Sequence, residues 1–161
     1  MSDRVVRIGG ASGFWGDTAM SAPQLVRGAR IDYLVFDYLA EVTMSILASQ
    51  RLKDPAAGYA TDFVHITMKA LLPDLISRKV RVVANAGGVN PLACRDALAK
   101  VAQALGVPLK IGVVLGDEIS AQVPALRERD TREMYSGEAM PPTFVSVNAY
   151  LGAIPIARAL D

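Results

Sequence analysis

Tyr33-Leu34-Val35-Phe36-Asp37 is the stretch on which the fold turns. Four apolar residues run without polar alternation and stop at an acid. A half-buried strand of an antiparallel sheet would alternate, so this pattern predicts a strand covered on both faces, as in parallel sheets. Similar short runs recur on either side. Val5-Val6-Arg7-Ile8 reads as a first strand ending at Gly9-Gly10, Val80 to Ala84 as a third, and Leu109 to Leu115 as a fourth ending at Gly116-Asp117-Glu118. Phe144-Val145-Ser146-Val147 reads as a fifth strand.

Helical spacing fills the intervals. Ala19 to Arg27 is predicted helical with Leu25 and Val26 inward and Gly28 as a left-handed cap. Glu41 to Gln50 carries Val42, Ile46 and Leu47 at helical spacing, and Asp54 to Tyr59 is a loop. Asp62 to Ser77 is the longest helix, with Val64, Met68, Leu71, Leu72 and Leu75 in one stripe and Pro73 as an expected kink. Pro91 to Leu105 is a helix with Asn90 as N-cap. A disturbed helix is expected over Ser120 to Tyr135 and a short one over Ile154 to Leu160. Strands alternating with helices imply right-handed crossovers and an α/β fold. The expected architecture is a parallel sheet with helices on both faces, a Rossmann-like three-layer sandwich forming a single domain over residues 1–161.

Composition sets the bounds. The chain has 161 residues, of which 52% are hydrophobic, and 17 Lys+Arg against 16 Asp+Glu give a formal charge of +1. That excludes disorder, and its balance gives no sign of a nucleic-acid or polyanion surface, although a local patch is compatible with it. The longest uncharged run, Ala139 to Ala157, is interrupted by Pro141, Pro142, Asn148 and Pro155, so no membrane-spanning helix and no membrane partner is expected. One cysteine, Cys94, excludes an intrachain disulfide and a zinc cluster. The start of the chain lacks the apolar region of a signal peptide, and the expected location is cytoplasmic.

Ligands of parallel sheets gather beyond the carboxyl ends of the strands, and here those ends hold the glycines and small polar residues. Gly10-Ala11-Ser12-Gly13-Phe14-Trp15-Gly16-Asp17 joins a strand to a helix. It suits close backbone approach to a phosphate or nucleotide, with Gly10, Ser12, Gly13, Gly16 and Asp17 as ligand-binding candidates; a tight turn with Asp17 as N-cap is the plainer reading. Asn85 to Pro91 offers Asn85, Gly87, Gly88 and Asn90 as an anion nest and carbonyl-orienting pair, or as a capped turn. Asp37 lies where a ribose-binding acid is expected, and is the candidate proton acceptor with Asp117 as its partner. Glu41 joins Asp37 as an acid–base or water-mediated cation pair, or stabilises its own helix start; Asp117-Glu118 is open to the same two readings. Cys94 is expected buried, His65 on a helix surface, and Trp15 either stacks on a ligand or covers the sheet end. No metal ligands are assigned and no cofactor is named.

The strings VRIGGASGFWGD (6–17), DYLVFDYLAEVTMSILA (32–48), VVANAGGVNP (82–91) and NAYLGAIPIARALD (148–161) together resemble the acyclic terpene utilisation (AtuA-like) family over essentially the whole chain. The resemblance implies a cytoplasmic protein linked to breakdown of acyclic terpenes such as citronellol and geraniol, a route that runs through acyl-CoA thioesters. It therefore implies a CoA thioester as a ligand, and leaves a homo-oligomer open. Family members are longer, so the chain is expected to correspond to their N-terminal part, to associate with the rest of that protein, and to expose apolar surface around Phe144 to Leu160. Arg78-Lys79 departs from the family, which often has a glycine before the third strand. A second resemblance links Gly10 to Gly16 and Asn85-Ala86-Gly87 to extended short-chain dehydrogenases. Those enzymes use a Tyr-x-x-x-Lys pair. Here the residues four beyond Tyr33, Tyr38, Tyr59, Tyr135 and Tyr150 are Asp37, Val42, Phe63, Ala139 and Ile154, which counts against that chemistry.

Overall fold

The structure is a computed structural model that describes residues 5–161. The chain forms two compact units, one up to Ile111 and one over Gly112–Asp161. The first unit contains β1 (Ile8–Ser12), α1 (Ser21–Gly28), β2 (Tyr33–Phe36), α2 (Glu41–Lys53), a π-helical segment (Phe63–Met68) running into α3 (Lys69–Ser77), β3 (Arg81–Ala84) and α4 (Pro91–Ala104). The strands lie in the order β1-β2-β3, all parallel. Ile8 stands opposite Tyr33 and Tyr33 opposite Arg81, so each chain reversal is made by a helix. The α/β class and parallel sheet are as expected.

The first strand lies three residues later than its β-branched run suggests. Gly9 and Gly10 are inside β1 because α1 packs directly on it: a Cβ on Gly9 would stand 3.2 Å from Leu25 Cδ1. Buried residues fall on one side of the sheet, with Gly9, Ala11, Leu34 and Phe36 buried, Ile8 and Gly10 exposed, and Tyr33 and Val35 half-buried. Helix α1 packs on α3 and α3 on α4. Helices α1, α3 and α4 share one core, while Leu47 and Ala48 of α2 form a separate cluster with Val89. Val26, Leu34, Val64, Leu71 and Leu72 are fully buried there, each worth about 1.5–3 kcal/mol relative to exposure. Phe36, Tyr38 and Phe63 pack as a ring cluster with centroids 5.2 to 6.0 Å apart.

Several helices depart from expectation in instructive ways. The stripe from Val64 to Leu75 is buried throughout. The irregularity lies at the π-helical turn of Phe63–Met68, one turn before Pro73, which sits inside α3. Helix α2 exists, but its inward residues are Thr43, Leu47 and Ala48, whereas Val42 is 71% exposed and Ile46 is also exposed. Gly28 ends α1 without a left-handed turn, since Ala29 is extended. The left-handed position falls instead on Lys79, φ 58°, just past α3. A side chain there costs about 1 kcal/mol that glycine would avoid.

Leu109 to Leu115 makes no strand. Within the first unit Val107, Leu109 and Ile111 lean on the core in an extended, alternating manner without joining the ladder. The second unit holds a 3-10 turn (Ser120–Gln122), α5 (Val123–Glu128) and α6 (Ile154–Leu160). The helix expected to reach Tyr135 ends at Glu128, and the fifth strand at Phe144–Val147 is absent. Its place is taken by a single antiparallel pairing of Glu118 with Asn148. Phe144, Val145, Tyr150, Leu151, Ile154 and Ile156 are exposed, as the sequence led us to expect.

Candidate functional site

The carboxyl ends of β1, β2 and β3 bring Ser12, Asp37 and Asn85 side by side. Parallel register does this: Ser12 pairs with Phe36 and Phe36 with Ala84, so the next residues of β2 and β3 leave the sheet together. The Ser12 hydroxyl donates to the Asp37 carbonyl at 3.4 Å. Asn85 Nδ2 donates to Asp37 Oδ1 at 2.7 Å, and Asn85 Oδ1 accepts the Tyr38 N–H at 2.7 Å. Asp37 is exposed, and its second carboxylate oxygen faces no hydrogen-bond donor among the described residues. A carboxylate held by one oxygen and open at the other is a hydroxyl or proton acceptor of fixed direction.

The loop after β1 curls over this point. Gly13 N–H donates to Asp17 Oδ2 at 3.0 Å, and Asp17 N–H donates to the Phe14 carbonyl at 3.2 Å. Gly16, φ 89°, supplies the left-handed step. Helix α1 begins only at Ser21, so Asp17 caps the loop rather than the helix. The Trp15 N–H donates to the Tyr38 carbonyl at 3.2 Å, and its indole Nε1 donates to Asp62 Oδ1 at 2.7 Å. Trp15 thus ties the first loop both to the end of β2 and to the start of the π-helical turn. Sequence reasoning missed the role of Asp62 because it read as a helix start and nothing local connects it to Trp15.

Burial tunes the neighbouring groups. The Tyr38 phenol is pushed up to about 12, first by burial and then by the Asp62 carboxylate, with a hydrogen bond to Thr67 opposing. Burial pushes the Cys94 thiol up to about 11, so it stays a neutral core residue and not a nucleophile. His65 is exposed on the π-helical turn.

The other candidates have surroundings of their own. In the loop after β3 the N–H groups of Gly88, Val89 and Asn90 donate to Asn85, Gly58 and Gly87 carbonyls at 3.2, 3.0 and 2.9 Å. A Cβ on Gly88 would lie 2.7 Å from the Gly58 carbonyl oxygen, and one on Gly87 2.8 Å from Pro91 Cβ. Asn90 caps α4 through Ala93 N–H and donates to the Pro55 and Ala57 carbonyls at 2.9 and 2.8 Å. Val89 and Asn90 staple the 54–60 loop to α4, and the backbone N–H groups of Gly88, Val89 and Asn90 are already engaged. Gly10 lies in mid-strand, on an open groove of about 430 Å³ with Ser21, Gln24, Leu25 and Gly28. Asp117 belongs to the second unit, where Asn148 Nδ2 donates to it at 2.9 Å. Glu41 opens α2, as a helix-stabilising acid would.

Compared with known families, residues 6–161 match the model described as "Acyclic terpene utilisation family protein AtuA". No curated protein and no solved structure matches the chain.

Proposed function

The chain belongs to the acyclic terpene utilisation family AtuA, and from that premise we propose that it acts in acyclic terpene catabolism, of the citronellol and geraniol kind, by binding a phosphate-bearing ligand such as an acyl-CoA at its strand-end loops. The observation that carries this reading is the meeting of Ser12, Asp37 and Asn85 at the carboxyl ends of three neighbouring parallel strands. Asp37 accepts a ribose hydroxyl or a proton from the ligand. The Gly13 N–H, which holds the Asp17 carboxylate, is the donor that a phosphate oxygen would take over. A CoA thioester therefore competes with Asp17. A complete Rossmann-like sandwich would add a layer over the face that carries Ile8, Tyr33 and Val35.

Thermal shift of the chain with CoA thioesters, free CoA, NAD(P) and ATP tests this, since a ligand that binds only the folded state raises its melting temperature. A shift with CoA compounds that is lost in Asp37→Ala and Gly13→Val supports the site. If both variants keep the wild-type shift, the site is wrong. A shift with NAD(P) alone would indicate an oxidoreductase instead.

A second reading is a non-catalytic accessory subunit, and exposed Val42, Ile46 and Leu52 on α2 favour it. It predicts no shift with any of these compounds, and a stable complex with an enzyme of the pathway.

A further inference from the structure

The balanced net charge conceals a segregation along the strands of the first unit. Helices that connect parallel strands run back against them, so α1 and α3 end where β2 and β3 begin. Cations gather at that end: Arg7 before β1, Arg30 before β2, and Arg78 and Lys79 before β3, all exposed. The backbone places them together. The Arg7 carbonyl accepts the Asp32 and Tyr33 N–H groups at 2.8 and 3.2 Å, and the Asp32 carbonyl accepts Arg81 N–H at 3.0 Å. The one acid among the described residues of these connections, Asp32, has a carboxylate oxygen bound to the Arg7 N–H at 2.7 Å. Aliphatic side chains stand among the cations: Val5, Val6 and Ile8 are 62%, 55% and 66% exposed.

Cations at a helix C-terminus complement the negative end of its dipole, and that alone would account for Arg78. It does not account for a lysine at the left-handed position, where glycine carries no strain, nor for three exposed β-branched residues beside Arg7. We propose that this edge is a docking surface for an anionic lipid bilayer, with Arg7, Arg30, Arg78 and Lys79 attracting headgroups and Val5, Val6 and Ile8 resting at the interface. Among the described residues none of these four cationic side chains takes part in an ion pair or hydrogen bond. A stereospecific phosphate or carboxylate site would preorganise its guanidinium groups. Exposed cations without a fixed partner among the described residues, spread over three connections, fit a field of mobile headgroups instead. The proposal is independent of the strand-end site, which lies at the opposite end of the same strands.

The test is sedimentation of the 161-residue chain with vesicles of phosphatidylcholine alone or mixed with phosphatidylglycerol. Binding is expected only to the mixed vesicles, and is expected to fall as salt is raised. Lys79→Gly removes one charge while relieving the backbone, and is expected to weaken vesicle binding roughly five-fold. Arg7→Glu/Arg30→Glu/Lys79→Glu is expected to abolish it, with circular dichroism showing the fold; if the triple variant does not fold, the Lys79→Gly arm decides. Equal binding to both vesicle types, no binding to either, or undiminished binding by Lys79→Gly overturns the proposal. Binding of polyglutamate without vesicle binding also overturns it, and assigns the edge to an acidic polypeptide.

Discussion

Asn85 grips Asp37 and the end of β2 with one side chain: its amide nitrogen donates to Asp37 Oδ1 and its amide oxygen accepts the Tyr38 N–H, both at 2.7 Å. The carboxylate is thereby aimed by a residue 48 positions away on the neighbouring strand. Asn85→Ala is expected to cost about 1 kcal/mol in urea unfolding and to weaken CoA-thioester binding about ten-fold, since Asp37 then turns freely. Unchanged affinity in a folded variant would remove Asp37 from the ligand site.

Asp17 is expected to behave as a competitor. Asp17→Ala frees the Gly13 N–H and removes a negative charge from the loop, so binding of CoA or ATP should tighten about five-fold with a small loss of stability. Titration calorimetry reads this directly, and weaker binding would show that Asp17 shapes the loop for the ligand rather than filling its place.

Gly88→Ala combines a left-handed backbone with a Cβ driven against the Gly58 carbonyl and Leu47. The expected loss is about 2–4 kcal/mol. Gly10→Ala, at a position with open space around it, is expected to be near neutral. A similar melting temperature for the two would contradict the packing described for the 85–90 loop.

Lys79→Gly is expected to stabilise the fold by about 1 kcal/mol through relief of its positive φ. Lys79→Ala keeps the strain and gives no such gain. A stabilisation by alanine equal to that by glycine would mean that the lysine charge, not its backbone, is the cost.

Cys94 and Tyr38 set the alkaline limit. Burial raises the thiol from 9.0 to about 11, and burial with the Asp62 carboxylate raises the phenol from 10.0 to about 12. Both shifts favour the neutral form in the fold. Their contribution is complete below the unfolded values and is lost as pH climbs through the folded ones, because the unfolded chain releases its protons first. Urea midpoints should hold near neutrality and decline above pH 9. Cys94→Ala should flatten the part between 9 and 11, and an identical pH profile in that variant would show that another group governs it.

What could be read from the sequence divides along physical lines. The β2 run and the Val64–Leu75 stripe were legible because burial of a contiguous apolar surface fixes them whatever surrounds them. Asn90 was legible as a cap because a single side-chain bond to Ala93 defines the role. Helix α2 was legible as a helix, but its apolar residues are spread around its circumference, so neighbours and not spacing decided that Thr43, Leu47 and Ala48 face inward. Val113-Val114 has strand propensity, but a strand exists only through a partner, and propensity carries no information about one. The position of Asp37 just past the end of β2 was legible from the apolar run before it. Its grip by Asn85, and the bond from Trp15 to Asp62, join residues 48 and 47 apart, and no local pattern encodes such pairings.

The Trp15 contact with Asp62 has a spectroscopic consequence. The chain holds one tryptophan, and its indole sits in the loop that bends over the strand ends. Its emission therefore reports one place in the molecule, without a label or an engineered probe. Gly112–Asp161 contains tyrosines but no indole, so melting followed by tryptophan emission and melting followed by far-ultraviolet dichroism will separate wherever the two units unfold independently.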